Sequence, residues 1–412
     1  MNEFGTKVPR TKMIIGIPKE IKANEYRVAI LPGGVRSLVN EGHQVLIQAG
    51  AGIYAGYPDR VFRAAGAKII PAPDQLWEKA EMIVKVKEPQ RVEYQRMRRG
   101  QILFCFLHLA PAPGLTRALI SAGVNAVALE TIQTLDGLLP CLIPMSEIAG
   151  RMAVQAGASY LMLDRGGPGI LLSGAPGVPP GKVVVIGAGT AGTNAARLAE
   201  GMGAQVIVLD INLIRLEHID DLLNGRVITV MSDPVNLEKY VPEADLLIGA
   251  VLVPGARAPV IVEESLVKKM KPGSVIVDIA VDQGGCIATT RPTTHEKPVY
   301  AKYGVTHYCV ANMPGAVPRT STQALANATF PYLARIARSG LDQAASQDPA
   351  LRAGINIYTP AGAAKGLVTN PGVARSIGTG YIPIEKLIAG PGGKAEKQPD
   401  RGKTARRKGI LK

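Results

Sequence analysis

The sequence predicts an α/β fold: two doubly wound parallel sheets, with the second domain inserted into the chain of the first. Three observations predict it. From Met13 onward, short apolar runs alternate with segments of helical periodicity. A second series of such runs starts near residue 181, after a Gly/Pro-rich stretch, "RGGPGILLSGAPGVPPGK". A long helical segment, "TSTQALANATFPYLARIARSG", then follows the second series and most simply leads back to the first. Strands that alternate with helices form parallel sheets with crossover helices.

Taken in order, the strands of the first series are "MIIGIPKE", "HQVLIQAG", "AKIIPA", "EMIVKVKEP", "QILFCFLH" and "NAVALETI", each bounded by Gly, Pro or charge. Between them, "PGGVRSLVNEG" and "PDQLWEKAE" carry the apolar spacing of helices. The segment "MSEIAGRMAVQAGASYLMLD" is the helix expected to link the two domains. The second series reads "KVVVIGAG", "AQVIVLD", "GRVITVMS", "ADLLIGAVL", "GSVIVDIAV" and "THYCVAN", six strands and so a complete doubly wound unit. The expected boundaries are 13–142 and 320–389 for the first domain and 143–319 for the inserted one, with tails 1–12 and 390–412 expected to be disordered.

Composition narrows the function class. The net charge of +14 suggests nucleic acid, but the tails carry +2 and +6 of it, leaving an unremarkable +6 on the body. A modestly basic body suits small anions and dinucleotides, and no nucleic-acid partner is expected. No apolar run reaches the roughly 20 residues that span a bilayer, so no membrane association is expected. Four widely spaced cysteines, without a C-x-x-C pair, are expected to be reduced thiols in a cytoplasmic protein. The first dozen residues carry no apolar core, so no secretory signal is expected, and a vector-derived leader before a native Met13 is one reading of them.

"VVVIGAGTAG" sets Gly187, Gly189 and Gly192 in G-x-G-x-x-G spacing around Thr190 and Ala191, after a strand and before a helix. This Rossmann-like turn lets backbone approach a pyrophosphate, which the helix N-terminus then holds. The next strand ends at Asp210, an acid placed to accept from ribose hydroxyls and to repel a 2′-phosphate. The expected cofactor is therefore NAD, although nearby Arg215 leans toward a phosphate. Ser232, Leu252, Asp282 and Asn312, the last followed by Met313, stand at or just after the ends of successive strands and are expected to ring the cofactor cleft.

The first series brings Arg27, Lys87 and His108 to its own strand ends. Arginine can grip a carboxylate bidentately, lysine adds a point charge, and imidazole exchanges protons near neutral pH. Each also has a structural reading. Arg27 could be a surface cation beside Glu25, Lys87 could pair with Glu88, and His108 could be a satisfied structural histidine. Lys85 competes with Lys87. Asp282 could cap the Gly-Gly turn after it, and Asp278 competes with Asp282 but falls inside the strand.

In order and spacing, "GIPKEIKANEYRVA", "VKVKEP", "QILFCFLHLA", "PMSEIAGRMA", "VVVIGAGTAG", "VDIAVDQGG" and "VANMPGAVPRTST" resemble the alanine dehydrogenase/pyridine nucleotide transhydrogenase family over about residues 13–388. The resemblance implies reversible oxidation of L-alanine by NAD⁺ and water to pyruvate, ammonium and NADH, in a homohexamer. It matches Arg27 and Lys87 to a substrate-binding pair and His108 and Asp282 to a catalytic pair. Ser146, Asp210, Ser232 and Asn312 match cofactor contacts. Some relatives hold a metal with Glu and His on the late helix. Arg335 and Ser339 stand there instead, so no metal is expected. Two other readings stay open: the NAD(H)-binding subunit of a proton-translocating transhydrogenase, and an opine- or saccharopine-type dehydrogenase.

Overall fold

A computed structural model describes residues 12–251 and 258–388. The first sheet holds strands β1 (Ile14–Ile17), β2 (Gln44–Gln48), β3 (Lys68–Ile70), β4 (Met82–Val84), β5 (Ile102–Cys105) and β6 (Asn125–Ala128). The second holds β7 (Lys182–Ile186), β8 (Gln205–Asp210), β9 (Ile228–Met231), β10 (Leu246–Gly249), β11 (Val275–Asp278), β12 (Val299–Lys302) and β13 (Val305–Tyr308). The chain then returns to the first sheet with β14 (Ile355–Tyr358) and β15 (Leu367–Val368). The spatial orders are β15-β14-β6-β5-β4-β1-β2-β3 and β12-β13-β11-β10-β7-β8-β9.

All twelve strands expected from the sequence form, and both parallel sets share the order 3-2-1-4-5-6. Each therefore reverses direction beside its own first strand, where α/β sheets open a crevice for ligands. Three strands were not foreseen. β12 pairs antiparallel with β13 across a two-residue turn at Tyr303 and Gly304, both with positive φ. β14 lies antiparallel between β6 and β15. All three are short strands in antiparallel pairings without a crossover helix, so the strand–helix alternation does not announce them.

Each sheet is packed on both faces because both carry helices. Val183 and Val185 of β7 enter one core while Val184 and Ile186 enter the opposite one. β5 divides the same way, Ile102 and Phe104 against Leu103 and Cys105. Period-two alternation between two apolar layers is why these strands read as continuous apolar runs. Each buried aliphatic side chain contributes about 1.5–3 kcal/mol.

Two helices join the halves. Helix Ile143–Tyr160 puts Met145 and Ile148 into the first core and Ala153 and Val154 into the second. Helix Pro318–Ser339 packs Leu325, Leu333 and Ile336 into the first core, returning the chain there. All four cysteines are buried free thiols. Among the described residues, no helix is long and apolar enough to cross a membrane. The expected tails lie outside the described residues, apart from Lys12.

Candidate active site

The Gly-rich turn after β7 has the geometry a dinucleotide needs. Gly187 has φ +103°, and a Cβ on Gly192 would stand 1.7 Å from the Gly187 carbonyl oxygen. No side chain fits at Gly192 without separating strand from helix. A Cβ on Gly189, by contrast, would point into open space, the side from which a pyrophosphate can approach. Thr190 and Ala191 open helix Thr190–Gly201, and the first N–H groups of a helix have no partner within it. Asp210 closes β8, nearly buried. Its Oδ2 accepts from Ala188 N–H at 2.6 Å and its Oδ1 from Asn212 N–H at 2.8 Å. The acid thus ties the turn to the neighbouring strand. Arg215 Nη1 stands 3.9 Å from Asp210 Oδ2 on an exposed side chain. Ser232 follows β9, where its N–H donates to the Asp210 carbonyl at 3.0 Å. Ser146 lies in the first turns of helix Ile143–Tyr160, and Met313 is buried in the second core. Leu252 lies outside the described residues.

The first sheet supplies the charges. Arg27 sits in the loop 18–31 between β1 and helix Pro32–Asn40, and is buried. Its Nε donates to Glu25 Oε1 at 2.7 Å, and Nη2 donates to Glu25 Oε2 and, at 3.0 Å, to Asn312 Oδ1. Nη1 donates to the thioether of Met145 at 2.9 Å. The reading as a surface cation fails on burial. Glu25 occupies the Nε edge of the guanidinium. Burial pushes the Glu25 carboxyl up, but Arg27 more than offsets this and holds it low.

The lysines separate cleanly. Lys85 is fully buried and paired with Glu20 at 3.0 Å and Glu93 at 3.2 Å. Burial disfavours its charge, and the two carboxylates more than compensate. Lys87 has no ion-pair partner among the described residues, and Glu88 pairs instead with Lys22 at 2.5 Å. Burial, then the charges of Arg27 and Lys22, pull the Lys87 ammonium below its ordinary pKa, against Glu25 and Asp282. Charges from both sheets therefore act on this one ammonium.

His108 follows β5 with φ +47°. Its ring stacks on Phe106, with centroids 6.0 Å apart. Burial lowers the imidazole pKa, Glu130 opposes that, and Lys87 adds to it. The balance favours the neutral ring.

The two aspartates divide the work. β11 ends at Asp278 instead of running on, because the buried Asp278 carboxylate accepts from Ala280 N–H at 3.0 Å, Cys286 N–H at 3.1 Å and the Thr290 hydroxyl at 2.6 Å. It caps the 3-10 turn Ile279–Gln283 and holds the glycine bend. That frees Asp282 of the capping role and leaves it exposed in the turn. Asp282 Oδ2 accepts from Asn312 N–H at 3.0 Å. Asn312 has φ +57°, and its side chain bridges Arg27 and, through Nδ2 at 3.2 Å, Glu25 Oε2. One continuous set of hydrogen bonds thus runs from Asp282 on the second sheet to Arg27 on the first.

Sequence reasoning missed Glu25 and Glu130. Glu25 was weighed only as a surface partner, although a carboxylate two residues before a cleft arginine is a usable signal. Glu130 stands just past β6 and reaches the backbone at His108, a contact no local pattern encodes.

Residues 16–149 match the family description "Alanine dehydrogenase/PNT, N-terminal domain", and residues 153–363 match "Alanine dehydrogenase/PNT, C-terminal domain". Over 377 residues the chain is 53% identical to the alanine dehydrogenase of Bacillus subtilis, covering 91% of this chain and 98% of that one. A solved L-alanine dehydrogenase superimposes with TM-score 0.84 at 50% identity, over 89% of this chain and 99% of that one. A transhydrogenase from Sinorhizobium meliloti does so with TM-score 0.72 at 26% identity, over 84% and 99%.

Proposed function

The chain belongs to the alanine dehydrogenase/PNT family, and from that premise we propose that it oxidises L-alanine with NAD⁺ and water to pyruvate, ammonium, NADH and a proton, reversibly. The observation that carries this reading is the bridge at Asn312, which brings Asp282 of the dinucleotide-type sheet to Arg27 of the cation-bearing sheet.

The cofactor is NAD. The residues fit it: an open approach at Gly189, a helix start beyond it, and an acid at the end of β8 instead of a phosphate-binding cation. Gly187, Gly189, Thr190, Ala191 and Gly192, with Ser146, Asp210, Arg215, Ser232, Asn312 and Met313, form its binding surface. When bound, the nicotinamide supplies a hydride acceptor for the substrate α-carbon.

Arg27 Nη1 and the Lys87 ammonium hold the substrate carboxylate. The pair suits an anion, because Lys87 is otherwise unpaired among the described residues and Arg27 cannot lose its charge. His108, neutral before reaction, takes a proton from the substrate ammonium so that the nitrogen lone pair can assist hydride departure. Having released that proton to solvent, it takes one from the water that adds to the iminium carbon and returns it to the nitrogen. The nitrogen leaves as ammonia and picks up the hydroxyl proton of the collapsing carbinolamine to become ammonium. Asp282 orders that water and stabilises the cationic charge developing on the carbon–nitrogen bond.

The domain division proposed is a substrate domain of 13–142 and 320–389 enclosing a cofactor domain of 143–319. The assembly proposed is a cytoplasmic homohexamer, a reading supported by family membership and by four reduced cysteines. Light scattering on the purified protein tests the hexamer, and a monomeric mass refutes it. The activity is tested by following NADH absorbance with pyruvate and ammonium, each omitted in turn. Oxidation that needs both compounds and prefers pyruvate to longer keto acids is expected. NADH binding without such turnover overturns the proposal.

A further inference from the structure

Glu130 stands on the 3-10 turn Leu129–Thr131 directly after β6. β5 and β6 are neighbours in register, Cys105 beside Ala128, so the end of β6 lies against the segment that carries His108. The Glu130 carboxylate reaches across. Oε1 accepts from His108 N–H at 2.6 Å, and Oε2 accepts from Leu107 N–H at 3.1 Å. These two backbone groups are its hydrogen-bond partners, and it has no ion-pair partner among the described residues. A half-buried carboxylate without a counter-cation is costly, and its retention at a strand end calls for a reason.

The conformation it holds supplies one. His108 has φ +47°, a backbone region that non-glycine residues occupy only under constraint. Two N–H groups clamped by one carboxylate provide that constraint. Phe106 backs the ring, so the imidazole's direction follows from the clamp and the stack together.

We propose that Glu130 is the positioning residue for His108: it locks the left-handed turn that aims the imidazole into the cleft, and it sets the field in which that imidazole exchanges protons. This rests on the reading of His108 as the proton acceptor. The charges facing the ring are Glu130 and Glu88, which favour the imidazolium, and Lys87 and Lys22, which disfavour it. Burial disfavours it most, and Glu130 is the strongest of the opposing charges. Without Glu130 the ring would be harder still to protonate, leaving a weaker base.

Two variants test this. Glu130→Gln keeps an acceptor for the His108 N–H but removes the charge. Glu130→Ala removes both. With L-alanine and NAD⁺, Glu130→Gln is expected to move the acid limb of kcat/KM to lower pH with little change in NADH affinity. Glu130→Ala is expected to lower kcat by about 100-fold, the cost of a misplaced group. The His108 imidazole is also titrated by NMR without substrate or cofactor, and Glu130→Gln is expected to lower its pKa. If both the acid limb and the ring titration of Glu130→Gln coincide with wild type, the proposal is overturned, even if Glu130→Ala is inactive through misfolding. If wild type oxidises no alanine while the ring titration shifts as expected, the functional reading falls and the role of Glu130 at the ring stands.

Discussion

The first crossover of each sheet solves the same topological problem in opposite ways. In the second sheet, β7 passes to its helix through residues 187–189 alone, so the helix start itself becomes the binding element. In the first, β1 passes to its helix through the loop 18–31, which carries Glu20, Lys22, Glu25 and Arg27. One crossover presents backbone N–H groups and the other presents side-chain charge, which on the proposed function serve phosphates and a carboxylate respectively. The strand order is shared, and what differs at this crossover is the length of the connection.

Five substitutions break or sharpen that comparison. The largest effect is expected where the halves meet. Asp282→Asn should lower kcat by roughly 10²–10⁴-fold, the range for loss of a proton-handling group, while NADH titrates as in wild type. Near-normal turnover would show that the Asn312 bridge, and not the carboxylate, is what matters.

Next come the two lysines of the charged half. Lys85→Met leaves Glu20 and Glu93 buried without a counter-cation and should cost about 3–5 kcal/mol in denaturant unfolding. Lys87→Met should unfold nearly as wild type and instead raise KM for alanine. Equal stability losses in the two variants would erase the distinction drawn between them.

In the cofactor half, Gly192→Ala forces a Cβ against the Gly187 carbonyl. Overpacking of this kind costs about 1–3 kcal/mol, so NADH affinity should fall about 10–100-fold. Unchanged affinity in a fluorescence titration would mean that the turn is looser than its spacing implies.

The smallest effect is expected at Lys22, half-buried and paired with Glu88. Only a neutral His108 can accept the substrate proton, so kcat/KM falls as pH drops through the imidazole pKa. Lys22→Met removes a positive charge and leaves Glu88 unbalanced. Both changes favour the imidazolium, so the acid limb should move to higher pH, opposite to Glu130→Gln. A shift in the same direction for both variants would contradict the account of this field.

The sequence by itself determined what is local. The G-x-G-x-x-G turn, the acid at the end of β8, the twelve parallel strands and the two long helices were all legible, because each rests on propensity, periodicity or backbone sterics within a few residues. It also narrowed the reacting groups to Arg27, Lys87, His108 and Asp282, with Lys85 and Asp278 as rivals. Only the tertiary structure decided between the rivals. Lys85 is claimed by Glu20, far away in the chain, and by Glu93. Asp278 is claimed by backbone groups beyond a bend that had read as more strand. Arg27 turns its Nε edge to Glu25 and, through Asn312, is linked to the second sheet. β14 joins the first sheet after an intervening domain, and Glu130 reaches His108 from the neighbouring strand. The physical reason is common to all of these. A charged side chain takes its role from whichever partner burial brings within about 3 Å, and burial is set by packing between distant segments.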